Sequence, residues 1–283
     1  MLKQRVITAA LLLAVLLPAL FYPTPAAFCF VALVLICAAG WEWARLNGFG
    51  QYAAAATALL LATVCAFVWY AGLLEERLPL VWTLTTSAWV VASIVLLRLG
   101  PAGWSKVPRS LRLIVGVLAL WLAWLAVAQA KTLGIYFLLS VLLLVWVADI
   151  FAYAAGRAFG GEFISRKLAP SISPGKSWEG VCGAVAGVVV LSTTWGLLER
   201  SGTVPFNGSL YARLWEQYGL LFMLIAVVLL VGMSVVGDLV ESLVKRSAGV
   251  KDSSGLLPGH GGVLDRLDAL LPAVPAAMML VSV

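Results

Sequence analysis

Charge is scarce in this chain. Only 11% of its residues are Asp, Glu, Lys or Arg, against 63% hydrophobic, which excludes a soluble globular protein of ordinary composition. Histidine occurs once, at position 260. The four cysteines, Cys29, Cys37, Cys65 and Cys182, fall inside apolar segments without metal-type spacing, so zinc finds no support and they read as small buried hydrophobes. There is no Gly-x-x-x-x-Gly-Lys-Ser/Thr phosphate loop, no internal repeat and no low-complexity tract. The net charge of +6 does not indicate nucleic acid. A membrane protein needs Lys and Arg to mark cytoplasmic loops and meet anionic headgroups.

What the chain has in abundance is long apolar runs. A spanning helix needs about 20 apolar residues, and nine runs are candidates: 6–22, 26–43, 53–73, 80–97, 111–128, 133–155, 181–197, 219–236 and 267–283. The last is short and begins with charge. The expected fold is an all-α polytopic integral membrane protein of about nine transmembrane helices. Residues 1–131 would hold about five spans, and 132–283 about four, with cytoplasmic loops 157–180 and 238–266. Pro25-Ala26-Ala27 loosely resembles a cleavage region, but the apolar sequence resumes after a short turn, so the N-terminus is read as a retained anchor.

Basic residues set the orientation. With the N-terminus in the cytoplasm, fifteen of the nineteen Lys and Arg, Lys3 and Arg5 among them, fall on cytoplasmic segments. Only Arg77, Lys131, Arg200 and Arg213 fall outside. That asymmetry is a strong positive-inside signal, and it puts both long polar loops on the cytoplasmic face.

The remaining charges gather at helix ends on that face. Asp149, deep in the sixth run, shares a helical face with Tyr153 and Arg157. Asp238, Glu241 or Ser242, and Lys245 recur three or four residues apart at the end of the eighth run. Asp265 and Asp268 are three apart on the way into the ninth. Ionisable residues at such places usually face a partner or a wet cavity. Four carboxylates, Asp149, Asp238, Asp265 and Asp268, suit a hard cation, above all Mg²⁺.

Between them, Gly255, Gly259, Gly261 and Gly262 let backbone approach an anion, and Lys245, Arg246, Lys251 and Arg266 can neutralise phosphate oxygens. In the other loop Pro174-Gly175 makes a turn, Ser177 is placed to cap the next helix, and Lys176 stands at that helix's positive end. A basic loop also binds anionic lipid generically, but that does not explain the carboxylates.

The segment Ser242-x-Val244-Lys245-Arg246-x4-Lys251-Asp252-x-Ser254-x2-Leu257-Pro258-x-His260-Gly261-Gly262-Val263-x-Asp265-Arg266-x-Asp268 resembles the signature of the phosphatidate cytidylyltransferases, the CDP-diacylglycerol synthases. Asp149-x-x-Ala152-Tyr153, Gly156-Arg157-x-Phe159-Gly160 and Ser173-Pro174-x-Lys176-Ser177-Trp178-Glu179-Gly180 look like further blocks of that family, with Ser177 where Thr is expected. These motifs cover the C-terminal half. The N-terminal half matches only in being hydrophobic with several spans.

The resemblance implies the reaction CTP + phosphatidate → CDP-diacylglycerol + pyrophosphate, at the cytoplasmic face of a bacterial inner membrane. It also implies Mg²⁺, with K⁺ as a possible second cation, membrane lipids as surroundings and a homodimer. Asp265 and Asp238 are the first choices for metal ligands, then Asp268 and Asp149. Lys245, Arg246, Lys251 and Arg266 would handle phosphates, with Ser173, Lys176 and Ser177 helping to bind nucleotide or lipid phosphate. Ser242, Asp252, Gly261 and Gly262 join the substrate-binding set, and His260 is either a substrate contact or a brace for the loop. On this reading Asp265→Asn abolishes turnover and leaves folding intact. Rival readings are a CTP-dependent transferase for another lipid phosphate or polyprenol, and a lipid or ion transporter.

Overall fold

A computed structural model describes residues 2–282, with side chains from Gln4 onward. Lys3, counted on the cytoplasmic side, and Val283, at the end of the ninth run, lie outside the described side chains and residues respectively. The chain forms α1 (Leu2–Phe21), α2 (Pro25–Leu46), α3 (Gln51–Tyr70), α4 (Pro79–Lys106), α5 (Arg109–Leu133), α6 (Ile135–Phe159), α7 (Trp178–Arg200), α8 (Leu210–Tyr218), α9 (Leu220–Ser247), α10 (Leu264–Leu267) and α11 (Leu270–Ser282). No strand occurs among the described residues. Two isolated bridges, Ala169 with Ser173 and Leu257 with Gly261, pin the two polar loops.

Eight of these helices, α1 to α7 and α9, are long and apolar enough to cross a membrane, and they account for the first eight apolar runs. The ninth run differs. α11 has only 13 residues, short of the roughly 20 that a bilayer requires, and most of its side chains are buried among α4, α5 and α9. It is apolar on all sides because protein surrounds it. The charged start of that run is separate: Asp265 lies in α10 and Asp268 caps it.

Many large apolar side chains point outward, among them Leu11, Leu59, Phe67, Leu80 and Val91. A surface this apolar suits lipid, and the protein is a multi-pass membrane protein. Core residues come from both halves of the chain and form one cluster, from Phe28 and Trp43 to Leu243 and Met278.

Alternate connections meet at opposite ends, as the distribution of basic residues requires. At one end Arg5 Nε donates to Gly259 O at 3.0 Å and Thr8 Oγ1 to Pro258 O at 2.9 Å. At the other, Lys131 Nζ donates to Leu20 O at 2.6 Å and Gln129 Nε2 to Leu73 O at 2.7 Å. The close packing of α6 on α7 shapes the first end. A Cβ on Gly180 would stand 2.9 Å from Ala152 O, and one on Gly187 2.5 Å from the Phe151 ring. Small residues on α7 thus let it lie almost directly on α6.

Candidate active site

Two polar groupings occupy the end of the molecule that carries the long loops. The first lines a cavity of about 380 Å³ between the C-terminal turns of α6, the loop before α7, the first turn of α7 and the middle of α9. Asp149, Lys176, Ser177 and Asp238 are in its wall, with Tyr153 and Arg157 at the α6 side. Lys176 Nζ pairs with Asp238 Oδ2 at 2.5 Å, joining two segments more than sixty residues apart. Ser242 Oγ donates to the other oxygen, Asp238 Oδ1, at 3.2 Å. Ser177 caps α7 by accepting from Gly180 N at 3.2 Å, the role its position before the helix suggests.

The second grouping centres on Asp265. Its Oδ1 accepts from Lys245 Nζ at 2.6 Å, and its Oδ2 from Gly262 N at 2.7 Å, Ser253 N at 2.9 Å and Ser253 Oγ at 3.0 Å. Lys245 is also paired with the buried Glu241 one turn earlier. Burial alone would raise the Asp265 carboxyl. Contacts with Glu241, Lys245 and the backbone N–H groups of Gly262 and Ser253 outweigh it and hold it down at about 2. Asp265 is thus an ionised hub committed to protein donors, and to ligate a metal it would have to exchange Lys245 for the ion.

Asp268 links the groupings electrically. Burial first, and then the charge of Asp238, raise its carboxyl to about 7, with Asp149 adding to the repulsion and Lys245 opposing it. Carboxylates that repel one another are a suitable donor set for a hard cation. Among the described residues no three His, Cys, Asp or Glu side chains form a ready-made metal cage. Mg²⁺ commonly takes only one or two carboxylates and completes its shell with substrate phosphates and water. Asp238, Asp149 and Asp268 fit that kind of binding.

The other residues picked from the sequence are dispersed. Arg246 ties the two loops together through Ile172 O at 3.4 Å and Val250 O at 3.3 Å. Ser173 lies outside the cavity wall, its N–H bonded to Ala169 O at 2.9 Å. Lys251 and Asp252 are exposed on the loop after α9. Arg266 donates to His260 O at 2.6 Å, and His260 N to Leu257 O at 2.8 Å, so these backbone contacts brace the loop. The His260 ring has a buried Nδ1 without a hydrogen-bond partner.

Gly261, at φ 84°, occupies the left-handed region that favours glycine. Gly262 has no room for a Cβ, which would overlap Ser253 Oγ and stand 2.5 Å from Glu42 Oε1. The anions that this glycine approaches are the chain's own carboxylates.

Glu42 was invisible to motif reading. It lies in the last turns of α2, wholly buried, and accepts from Ser253 Oγ, Ser254 Oγ, Val263 N and Leu264 N at 3.1, 2.5, 2.9 and 2.7 Å. The available signal was a lone carboxylate inside an apolar run, which is costly unless partnered. Glu179 stands in the sequence only as one residue of a family block, with no role legible from spacing. Its Oε1 accepts from Gly161, Phe163 and Ile164 N–H groups and shapes the turn after α6.

A multi-pass helical protein with cations, carboxylates and glycines gathered at one membrane boundary belongs with enzymes that treat phosphate groups at a lipid surface. A sequence profile described as the cytidylyltransferase family matches residues 3–283, and the chain belongs to that family. It is 40% identical over 282 residues to a phosphatidate cytidylyltransferase of Pseudomonas aeruginosa, covering 97% of this chain and 95% of the relative. The corresponding protein of Haemophilus influenzae is 37% identical, covering 97% and 96%. A phosphatidate cytidylyltransferase of Brucella melitensis is 46% identical over 139 residues, covering 49% of this chain and 43% of the relative.

Proposed function

We propose that this protein transfers the cytidylyl group of CTP to phosphatidate, giving CDP-diacylglycerol and pyrophosphate for phospholipid synthesis. The similarity along nearly the whole chain to two phosphatidate cytidylyltransferases supports this reading most directly, and the Asp149, Lys176 and Asp238 side chains of the cavity supply suitable chemistry. The rival readings, a transferase for a different lipid phosphate or a transporter, have no comparable support.

In the reaction an oxygen of the phosphatidate phosphate attacks the α-phosphorus of CTP. A new P–O bond forms, the bond between the α-phosphorus and the bridging oxygen breaks, and pyrophosphate leaves with that electron pair. A phosphomonoester has a second pKa of about 6, so the nucleophile is largely dianionic near neutral pH and needs no strong general base. The difficulty is bringing two anions together in line.

Lys176, at the start of α7, and Lys245 would offer positive charge on two sides, and Arg246, Lys251 and Arg266 would collect phosphate oxygens nearby. Asp238, Asp149 and Asp268 would hold Mg²⁺, with Asp265 joining if Lys245 moves off. K⁺ would serve as a second cation. Bound Mg²⁺ would screen the repulsion between the substrates and stabilise the leaving pyrophosphate. Placement in a bacterial inner membrane with this end facing the cytoplasm, and assembly as a homodimer, belong to the same proposal.

The test uses purified protein in detergent with CTP labelled at the α-phosphorus. Mg²⁺-dependent movement of label into CDP-diacylglycerol is expected with phosphatidate. Absence of lipid label with phosphatidate, but transfer to another lipid phosphate, would overturn the substrate assignment.

A further inference from the structure

We infer that Glu42 is a positioning residue for the transfer, setting the place of Asp265, and through it Lys245, from the membrane-spanning helix α2. This rests on the proposed cytidylyl transfer, in which Lys245 would offer positive charge to the substrate phosphates.

Glu42 is 0% exposed, and both of its carboxylate oxygens are used. Oε1 accepts from Ser254 Oγ and Val263 N, and Oε2 from Ser253 Oγ and Leu264 N. These donors stand within the loop that joins α9 to α10 and at its far end, more than two hundred residues along the chain. Two of them, Val263 N and Leu264 N, belong to the start of α10. Capping that short helix would need only a local Ser, Asp or Asn. A distant carboxylate that also takes two serine hydroxyls closes the whole loop.

The link onward runs through Ser253. Its Oγ lies 3.1 Å from Glu42 Oε2 and 3.0 Å from Asp265 Oδ2. A hydroxyl carries one proton and can donate to only one carboxylate at a time, so the two acids share a single bridge. Asp265 then holds Lys245 at 2.6 Å through its other oxygen. Gly262 closes the arrangement from the side, with no space for a Cβ between Ser253 Oγ and the Glu42 carboxylate. The line Glu42–Ser253–Asp265–Lys245 thus connects the N-terminal half of the chain to the site.

The experiment compares wild type, Glu42→Gln, Ser253→Ala and the double variant as full-length purified protein. CTP dependence is measured at saturating phosphatidate, with melting temperature recorded on the same samples. Small displacements of a positioned group cost as much as about a hundred-fold in rate. Each single substitution should therefore lower kcat by at least about tenfold while KM for CTP stays within about threefold. Because both cut one link, the double variant should be no more than about threefold slower than the slower single.

A role confined to stability would lower melting temperature and leave the kcat of the folded enzyme unchanged. Folded Glu42→Gln with wild-type kcat, or losses that multiply in the double variant, would overturn the inference. If Glu42→Gln fails to fold, Ser253→Ala decides: wild-type kcat there overturns it. An inactive wild type would overturn the transferase reading itself, and this inference with it. Active wild type with undisturbed variants overturns this inference alone.

Discussion

Asp265 shows how a residue's role changes once its neighbours are known. Sequence spacing presents it as a carboxylate free to hold a metal, so Asp265→Asn would leave folding intact. In the folded protein it is bonded to Lys245, Ser253 and Gly262, and breaking a buried ion pair costs about 3–5 kcal/mol. Asp265→Asn should therefore lower stability together with turnover, which unfolding and activity measured on one preparation will show. The pH dependence follows from the carboxyl being held at about 2. Its contribution is fully present above the ordinary Asp value of about 4 and is lost as pH falls through about 2. The stability gap between wild type and Asp265→Asn should shrink across that window, and a gap unchanged from pH 5 to pH 2 would contradict the ion-pair role. Glu42 escaped notice because motif spacing registers residues close in sequence, while its four partners are reached only by folding α2 against the loop after α9.

The helices themselves were largely legible. Eight apolar runs became eight long helices because length and hydropathy determine what can cross a bilayer. The ninth run forms the 13-residue α11, most of whose side chains are buried in protein, and hydropathy alone does not separate that from a span. The kink in α4 was also outside the pattern: Gly100 takes φ 67° and is followed by Pro101, which breaks the helix after the fourth apolar run ends. The fit of α7 on α6 is read from glycines whose spacing means little until the partner helix is known. Gly180→Ala would place a Cβ 2.9 Å from Ala152 O, beside the cavity wall that holds Lys176 and Asp149. The variant should lose at least about 1 kcal/mol of stability and most of its turnover, checked by thermal unfolding and CTP consumption. Wild-type behaviour would mean that α6 and α7 can separate without affecting the site.

For the molecule as a whole, fifteen of nineteen basic residues fall on one set of connections, and folding brings those connections together, with Arg5 against Gly259 and Lys176, just before α7, against Asp238 of α9. A cysteine-free background carrying Lys251→Cys should react with an impermeant maleimide in inverted vesicles but not in right-side-out ones. A cysteine replacing Pro205, in the loop before α8, should show the reverse. Reaction of Lys251→Cys from the outer side would invert the orientation. The charge pattern made this alternation readable, whereas the division of the polar end into a cavity and an Asp265 hub depends on side-chain directions that no charge count contains. On the proposed function, CTP and the lipid phosphate would meet in the cavity between α6, α7 and α9. The most direct measurement is turnover of purified Asp238→Asn beside wild type at saturating Mg²⁺, with melting temperatures recorded for both. Loss of a group that stabilises the transition state typically costs on the order of a hundred-fold or more, so turnover should fall by at least that much while the variant stays folded. A folded Asp238→Asn that converts CTP and phosphatidate at the wild-type rate would contradict the placement of the reaction in this cavity.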